Sequence, residues 1–213
     1  MLLYLVLFFS GFSSLGRSTT LNDSIPFSTV LELSRILNYT LPGLALLWYL
    51  ILKKKCLSFS SRELKPQIKD AYSFFWGFPG LVITGLGISL TVARLSPSSD
   101  FSGLQAPTNV SGWITVAISC IGTGYFEESY FRFYLLQKLE EWISFRFSRI
   151  ALSVLLFALC HVYEGPWGIL NAVLAGTLLS LLFERYKSLH GIALAHAGYN
   201  AFIYLAGYLF RFL

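Results

Sequence analysis

Ile121–Lys138 reads I-G-T-G-Y-F-E-E-S-Y-F-R-F-Y-L-L-Q-K. Two adjacent carboxylates, Glu127 and Glu128, stand in an apolar run that reaches back to Val110, with Arg132 one turn further on. A run of that length can cross a bilayer, so these charges lie deep within it. An ionisable group at that depth costs several kcal/mol unless it faces the protein interior and is paired. On a helix, Glu128 and Arg132 are i,i+4 neighbours and can neutralise each other. Glu127 points about 100° away and has no local partner. A buried ion pair that fixes helix register therefore explains Glu128 and Arg132 but not Glu127. Intramembrane ionisable residues of that kind mark functional sites.

Composition sets the class. Of 213 residues, 55% are hydrophobic and only 13% charged, and the mean hydropathy is +0.62. A soluble domain carries about twice that charged fraction. The fold class expected is all-α: a polytopic transmembrane helical bundle of about seven spans, multi-pass in the cell membrane. The spans read from the sequence are 1–12, 27–52, 71–95, 110–136, 150–162, 167–183 and 192–213. The first is short, and it reads as a span, as the remnant of a start placed too late, or as a signal peptide that lacks a basic n-region and a clear A-x-A site. Gly77, Pro79, Gly80, Gly85 and Gly87 keep the third span small and open to kinking, and the Ser/Pro/Gly-rich stretch 96–109 reads as a loop. Gly168, Ala172, Gly176 and Ser180 recur every four residues in the sixth, a stripe of small side chains that admits a neighbouring helix.

The formal charge of +5 does not require nucleic acid. The alternate loops 53–70, 137–149 and 184–190 hold eleven of the 16 Lys and Arg. That asymmetry is topogenic and places those loops in the cytoplasm. The three cysteines, Cys56, Cys120 and Cys160, form no C-x-x-C pair, so neither a disulfide framework nor a Cys-type zinc site is indicated. The region 1–109 carries the N-terminal spans and the basic loop, and 110–213 carries the motifs.

Ionisable groups on three spans fall at one depth. At about 1.5 Å per residue, Glu127 is about 16 Å from Lys138, His161 about 18 Å from Arg149, and His196 about 14 Å from Lys187. This set suits hydrolysis. A buried carboxylate can act as general base towards water, and a neighbouring histidine can hold and polarise that water. His196 and Asn200 share a helical face, and a histidine and an amide there can donate to a developing oxyanion. No Ser, Thr or Cys sits in a nucleophile elbow, and Cys160 points about 100° away from His161.

These residues resemble a known family. E-E-S-Y-F-R at 127–132 matches the EExxxR motif of the CAAX protease and bacteriocin-processing (CPBP, or Abi) family. F-A-L-C-H at 157–161 is similar to its FxxxH motif, and H-A-G-Y-N at 196–200 to its HxxxN motif. The match runs from about Val110 to the C-terminus, and Ser188-Leu189 resembles the family's approach to its final histidine. The resemblance implies an intramembrane glutamic endopeptidase of the type II CAAX prenyl protease kind, without metal or other cofactor. It implies Glu127 and His161 as the water-activating pair, His196 and Asn200 as the oxyanion site, and Glu128, Arg132 and Phe157 as supporting residues. The partners it implies are a peptide or lipidated peptide and the membrane lipids.

Three other readings stay open at this level. Two histidines and the glutamates could hold zinc, although the H-E-x-x-H helix is missing. Haem between His161 and His196 would make an electron carrier but leave the glutamates without a role. A non-catalytic immunity factor or scaffold would keep the same constellation. The topology is testable directly: cysteines introduced at Ser60 and at Ser98 should label from opposite sides of the membrane. Labelling of both from one side contradicts the assigned orientation.

Overall fold

The computed structural model describes residues 2–13, 27–54, 65–95 and 106–210. Most of the two loops expected at 53–70 and 96–109 lies outside them, as does the connection after the first run. All the regular structure among the described residues is helical. The helices are α1 (Leu2–Ser13), α2 (Thr29–Arg35), α3 (Leu41–Lys54), α4 (Ile68–Leu95), α5 (Val110–Glu128), α6 (Gln137–Glu140), α7 (Arg146–Leu159), α8 (Gly165–Tyr186) and α9 (Leu189–Phe210). A π-helical turn, Ile36–Thr40, joins α2 to α3, and a second, Ser129–Leu136, joins α5 to α6. The result is an all-α bundle consistent with about seven spans. Three stretches, Thr29–Leu52, Ile68–Leu95 and Val162–Tyr186, are long and apolar enough to cross a membrane. Large apolar side chains such as Phe75, Trp76, Ile83 and Leu90 face outward. In water such a surface would aggregate, and against lipid it is at home.

The helix ends are set locally. Asn109 caps α5, its Oδ1 accepting from the Gly112 N–H at 2.7 Å. Ser188 sits in the tight link between α8 and α9, fully buried. Its hydroxyl accepts from the Gly191 N–H at 3.0 Å and donates to Asp70 at 2.5 Å, which ties the start of α9 to the start of α4. Lys187 ends α8 in the left-handed conformation, φ 48°. The expected charged loop 184–190 is therefore mostly helix, with only a short turn in it.

α9 packs on α4 and α5, and α8 packs on α4 and α7. The α5–α9 approach depends on Gly124. A Cβ there would stand 2.5 Å from the Ala193 carbonyl oxygen and 3.1 Å from the Ala197 nitrogen. The N-terminal helices join the same core. On α1, Phe8 stacks on Phe126 at 5.2 Å and packs on Phe131 at 4.9 Å. Tyr4 donates to the Leu156 carbonyl at 2.8 Å, and Tyr39 to the Leu7 carbonyl at 2.5 Å. Trp48 of α3 packs on Phe133 at 5.5 Å. The first apolar run is thus a helix docked on the segment that carries the carboxylates.

The boundary after α7 also differs from the sequence reading. α7 begins at Arg146 and ends at Leu159, so His161 stands beyond its last residue, at the start of a 3₁₀ turn, Val162–Glu164. Gly165-Pro166 explains the early stop. Pro cannot donate in a continuing helix, but it suits the first turn of α8, and Gly165 takes φ 77°.

The close approach of α5 and α9 is open to test. Gly124→Ala should destabilise the bundle by about 1–3 kcal/mol through overpacking, lowering the melting temperature of the purified protein in detergent. An unchanged melting temperature would show that the two helices are not held at this distance.

Candidate active site

Glu127 and Glu128 are the last two residues of α5, and the chain then widens into the π-helical turn that carries Arg132. Such turns are rare and cluster at functional sites. Ser153 of α7 donates to the Phe131 carbonyl of this turn at 3.0 Å, a supplementary bond to backbone inside the bundle.

The two glutamates have different surroundings. Glu128 and Arg132 are both 0% exposed, and Arg132 Nη1 donates to Glu128 Oε1 at 3.0 Å. Arg132 Nη2 reaches the Gly176 carbonyl on α8 at 3.3 Å. The guanidinium lies over the Phe157 ring with its carbon 4.4 Å from the centroid. Gly176 is a member of the small-residue stripe, and a Cβ there would stand 3.1 Å from Phe157 and 3.3 Å from Arg132 Nη2. The stripe therefore makes room for the stacked arginine and phenylalanine.

Glu128 Oε1 also accepts from His196 Nδ1 at 2.8 Å. The other nitrogen of that ring, Nε2, lies 3.8 Å from Glu127 Oε2, and that oxygen is buried without a hydrogen bond among the described residues. His196 thus stands between both carboxylates, a bond with one and a longer charge contact with the other. His161 Nδ1 pairs with the Phe157 carbonyl at 2.8 Å. A carbonyl can only accept, so Nδ1 carries the hydrogen and Nε2 presents its lone pair. Neither His161 nitrogen comes within ion-pair distance of Glu127. Asn200 follows His196 by one turn of α9, half-buried, and its amide makes no side-chain hydrogen bond among the described residues.

Phe157 ties the set together. Its ring is 4.5 Å from that of His161 and 6.1 Å from that of His196, with the Arg132 guanidinium on its face. The structure therefore links Glu127, Glu128, Arg132, Phe157 and His196 in one chain of pairwise contacts. His161 joins them through Phe157, and Asn200 through its place on α9. Cys160 points elsewhere: its thiol is directed at the Leu156 carbonyl and at Tyr4, each at 3.3 Å. Tyr163 was not legible as a site residue. It stacks on His161 at 6.3 Å with the rings 20° apart. Only the turn after α7 places it there, and the sequence reading ran the helix through to 162. Among the described residues, no three His, Cys, Asp or Glu side chains converge as a metal cage.

Residues 109–202 match the family model described as Type II CAAX prenyl endopeptidase Rce1-like, a segment that contains every residue of this set. No curated protein and no solved structure matches the chain in the corresponding comparisons.

The ion pair carries a prediction. Removing one partner strands the other charge in the core at a cost of about 3–5 kcal/mol. Arg132→Ala should therefore reduce the amount of folded protein in the membrane as well as activity. Wild-type abundance and thermal stability in that variant would show that the pair does not support the fold.

Proposed function

We propose that this chain, whose residues 109–202 belong to the Rce1-like type II CAAX prenyl endopeptidase family, is a membrane-embedded endopeptidase that hydrolyses a peptide bond with water activated at Glu127. The observation that carries the reading is the contrast between the two carboxylates. Glu128 Oε1 is shared by Arg132 and His196 inside a fully enclosed ion pair, while Glu127 makes no side-chain hydrogen bond among the described residues and its side chain is 16% exposed; each carboxylate keeps one buried oxygen without a hydrogen bond. Leaving such an oxygen unpaired costs stability, and a base in want of a proton is what general-base catalysis needs.

In this mechanism a water sits between Glu127 and the Nε2 lone pair of His161. Glu127 takes one proton as the water oxygen attacks the peptide carbonyl carbon. The carbonyl oxygen becomes an oxyanion facing His196 and the Asn200 amide. His196 donates at Nδ1 to Glu128, and in this mechanism it carries a second proton at Nε2, whose N–H is offered to that oxyanion. Glu127 then returns its proton to the leaving amine, which closes the cycle without a covalent enzyme intermediate. Phe157 and Arg132 hold both histidine rings in place.

The substrate is a peptide of the CAAX-prenyl or peptide-processing type. It reaches the site from the cytoplasmic side or laterally from lipid in a multi-pass cell-membrane protein.

Variants separate the roles. Glu127→Gln keeps the shape and removes the base, and it should abolish cleavage of a defined peptide by the purified, folded protein. Asn200→Ala should lower turnover by about 10²–10³, the loss expected for one oxyanion donor. Activity should survive a chelator. Full turnover in Glu127→Gln would overturn the mechanism, and absence of cleavage by the wild type on peptides of both types would favour a non-catalytic immunity or scaffold role.

A further inference from the structure

α7 and α8 are joined by the short turn that carries His161, and they pack side by side back towards one end of the bundle. α7 has 14 residues and α8 has 22. At 1.5 Å per residue, α7 therefore begins about 12 Å nearer the bilayer centre than α8 ends. The length of α8, about 33 Å, covers a hydrocarbon layer of about 30 Å, whereas α7, at about 21 Å, falls short of it. The stretch 141–147, which leads into α7, is thereby held at the boundary between headgroups and acyl chains.

Its construction fits that level. Trp142, Phe145 and Phe147 are 83%, 62% and 55% exposed, and aromatic rings gather at a membrane surface. The turn is also built rather than loose. Arg149, itself buried, donates from Nη1 to the Ile143 carbonyl at 3.4 Å and pairs with Glu140 at 3.3 Å, and Lys138 pairs with Glu141 at 2.7 Å. Those two pairs use both acids of 137–149 and leave one cation over, Arg146. Its guanidinium lies over the neighbouring Phe147 ring, 5.1 Å from the centroid, and no carboxylate among the described residues pairs with it. The same surplus recurs where α8 ends at this face. Glu184 is taken by Lys187, and Arg185 has no acid partner among the described residues. A guanidinium at the edge of the hydrocarbon needs an anion within reach.

We propose that the turn 141–147 binds an anionic phospholipid, its phosphate on Arg146 and its acyl chains against Trp142, Phe145 and Phe147. The planar fork of an arginine takes two phosphate oxygens at once. Net charge selects the lipid, because a zwitterionic headgroup brings its own cation to the phosphate and an anionic one does not. The turn joins the segment that carries Glu127 and Glu128 to the helix that leads to His161, so the bound lipid also sets the depth of those groups below the membrane surface. The inference concerns binding, and it stands whether or not the chain cleaves a peptide.

The test places the purified protein in phosphatidylcholine vesicles that hold a minor share of phosphatidylglycerol, with bromine on the acyl chains of one lipid or the other. Quenching of Trp142 is read as the difference between wild type and Trp142→Phe, which removes one of five tryptophans. Brominated phosphatidylglycerol should quench Trp142 with a relative affinity about fivefold above that of the same share of brominated phosphatidylcholine, the factor one cation supplies at a lipid surface. In Arg146→Gln the two lipids should quench alike. In Arg146→Lys, which keeps the charge but not the fork, the preference should fall part-way. Arg146 lies on the surface, so both variants should melt as the wild type does. Equal quenching by the two lipids in wild type overturns the proposal, as does a preference unchanged in Arg146→Gln. Quenching by neither lipid overturns it as well, and a dimer in light scattering that Trp142→Ala dissociates would then assign the turn to a contact between two copies of the chain.

Discussion

Two full charges, Glu128 and Arg132, lie at zero exposure in a chain built mostly of apolar residues. Neither could be there alone, because an uncompensated ion in such an interior outweighs a large part of a fold's net stability. Their pairing constrains the neighbourhood in turn. Arg132 needs a flat partner and finds Phe157, it needs an acceptor and finds the Gly176 carbonyl, and Gly176 must lack a side chain to let it in. The carboxylate that neutralises it also takes the Nδ1 hydrogen of His196. One ion pair thereby sets the register of α5, α7, α8 and α9 at the level of the site.

The proposed function draws on what that pair leaves over. Adjacent glutamates on a helix cannot both point at one arginine. Glu128 Oε1 takes both Arg132 and His196, and Glu127 is held beside it with no side-chain hydrogen bond and His196 Nε2 at 3.8 Å, each carboxylate keeping one buried oxygen unbonded. The same rigid plate, Phe157, touches both histidines. In the proposed mechanism the carboxylate of Glu127 and the rings of His161 and His196 are thereby kept in fixed relation. Such preorganisation is the largest contribution a protein makes to stabilising developing charge.

Much of this was legible in the sequence because helical periodicity is a local property. The i,i+4 spacing paired Glu128 with Arg132, and the four-residue recurrence of small side chains marked the surface into which Arg132 packs. What the sequence did not show depends on how helices are rotated against one another. The π-helical turn Ser129–Leu136 has no signature in S-Y-F-R-F-Y-L-L. The bond from His196 to Glu128 was assigned to neither residue, because spacing places both at one depth without saying which carboxylate each ring meets. His161 was read inside a helix, whereas Gly165-Pro166 ends that helix early and brings Tyr163 alongside. The docking of α1 through Tyr4 and Phe8 was equally silent, since a short apolar run looks the same whether it packs or is removed.

The central claim is that water, and not a side chain of the protein, attacks the substrate carbonyl. A single turnover with enzyme in excess, run in H₂¹⁸O and analysed by mass spectrometry of both product and protein, tests it most directly. The account predicts ¹⁸O in the new carboxylate of the cleaved peptide and none in the Glu127 side chain. Label on Glu127 would mean that its carboxylate had formed the bond itself, and the account would be wrong.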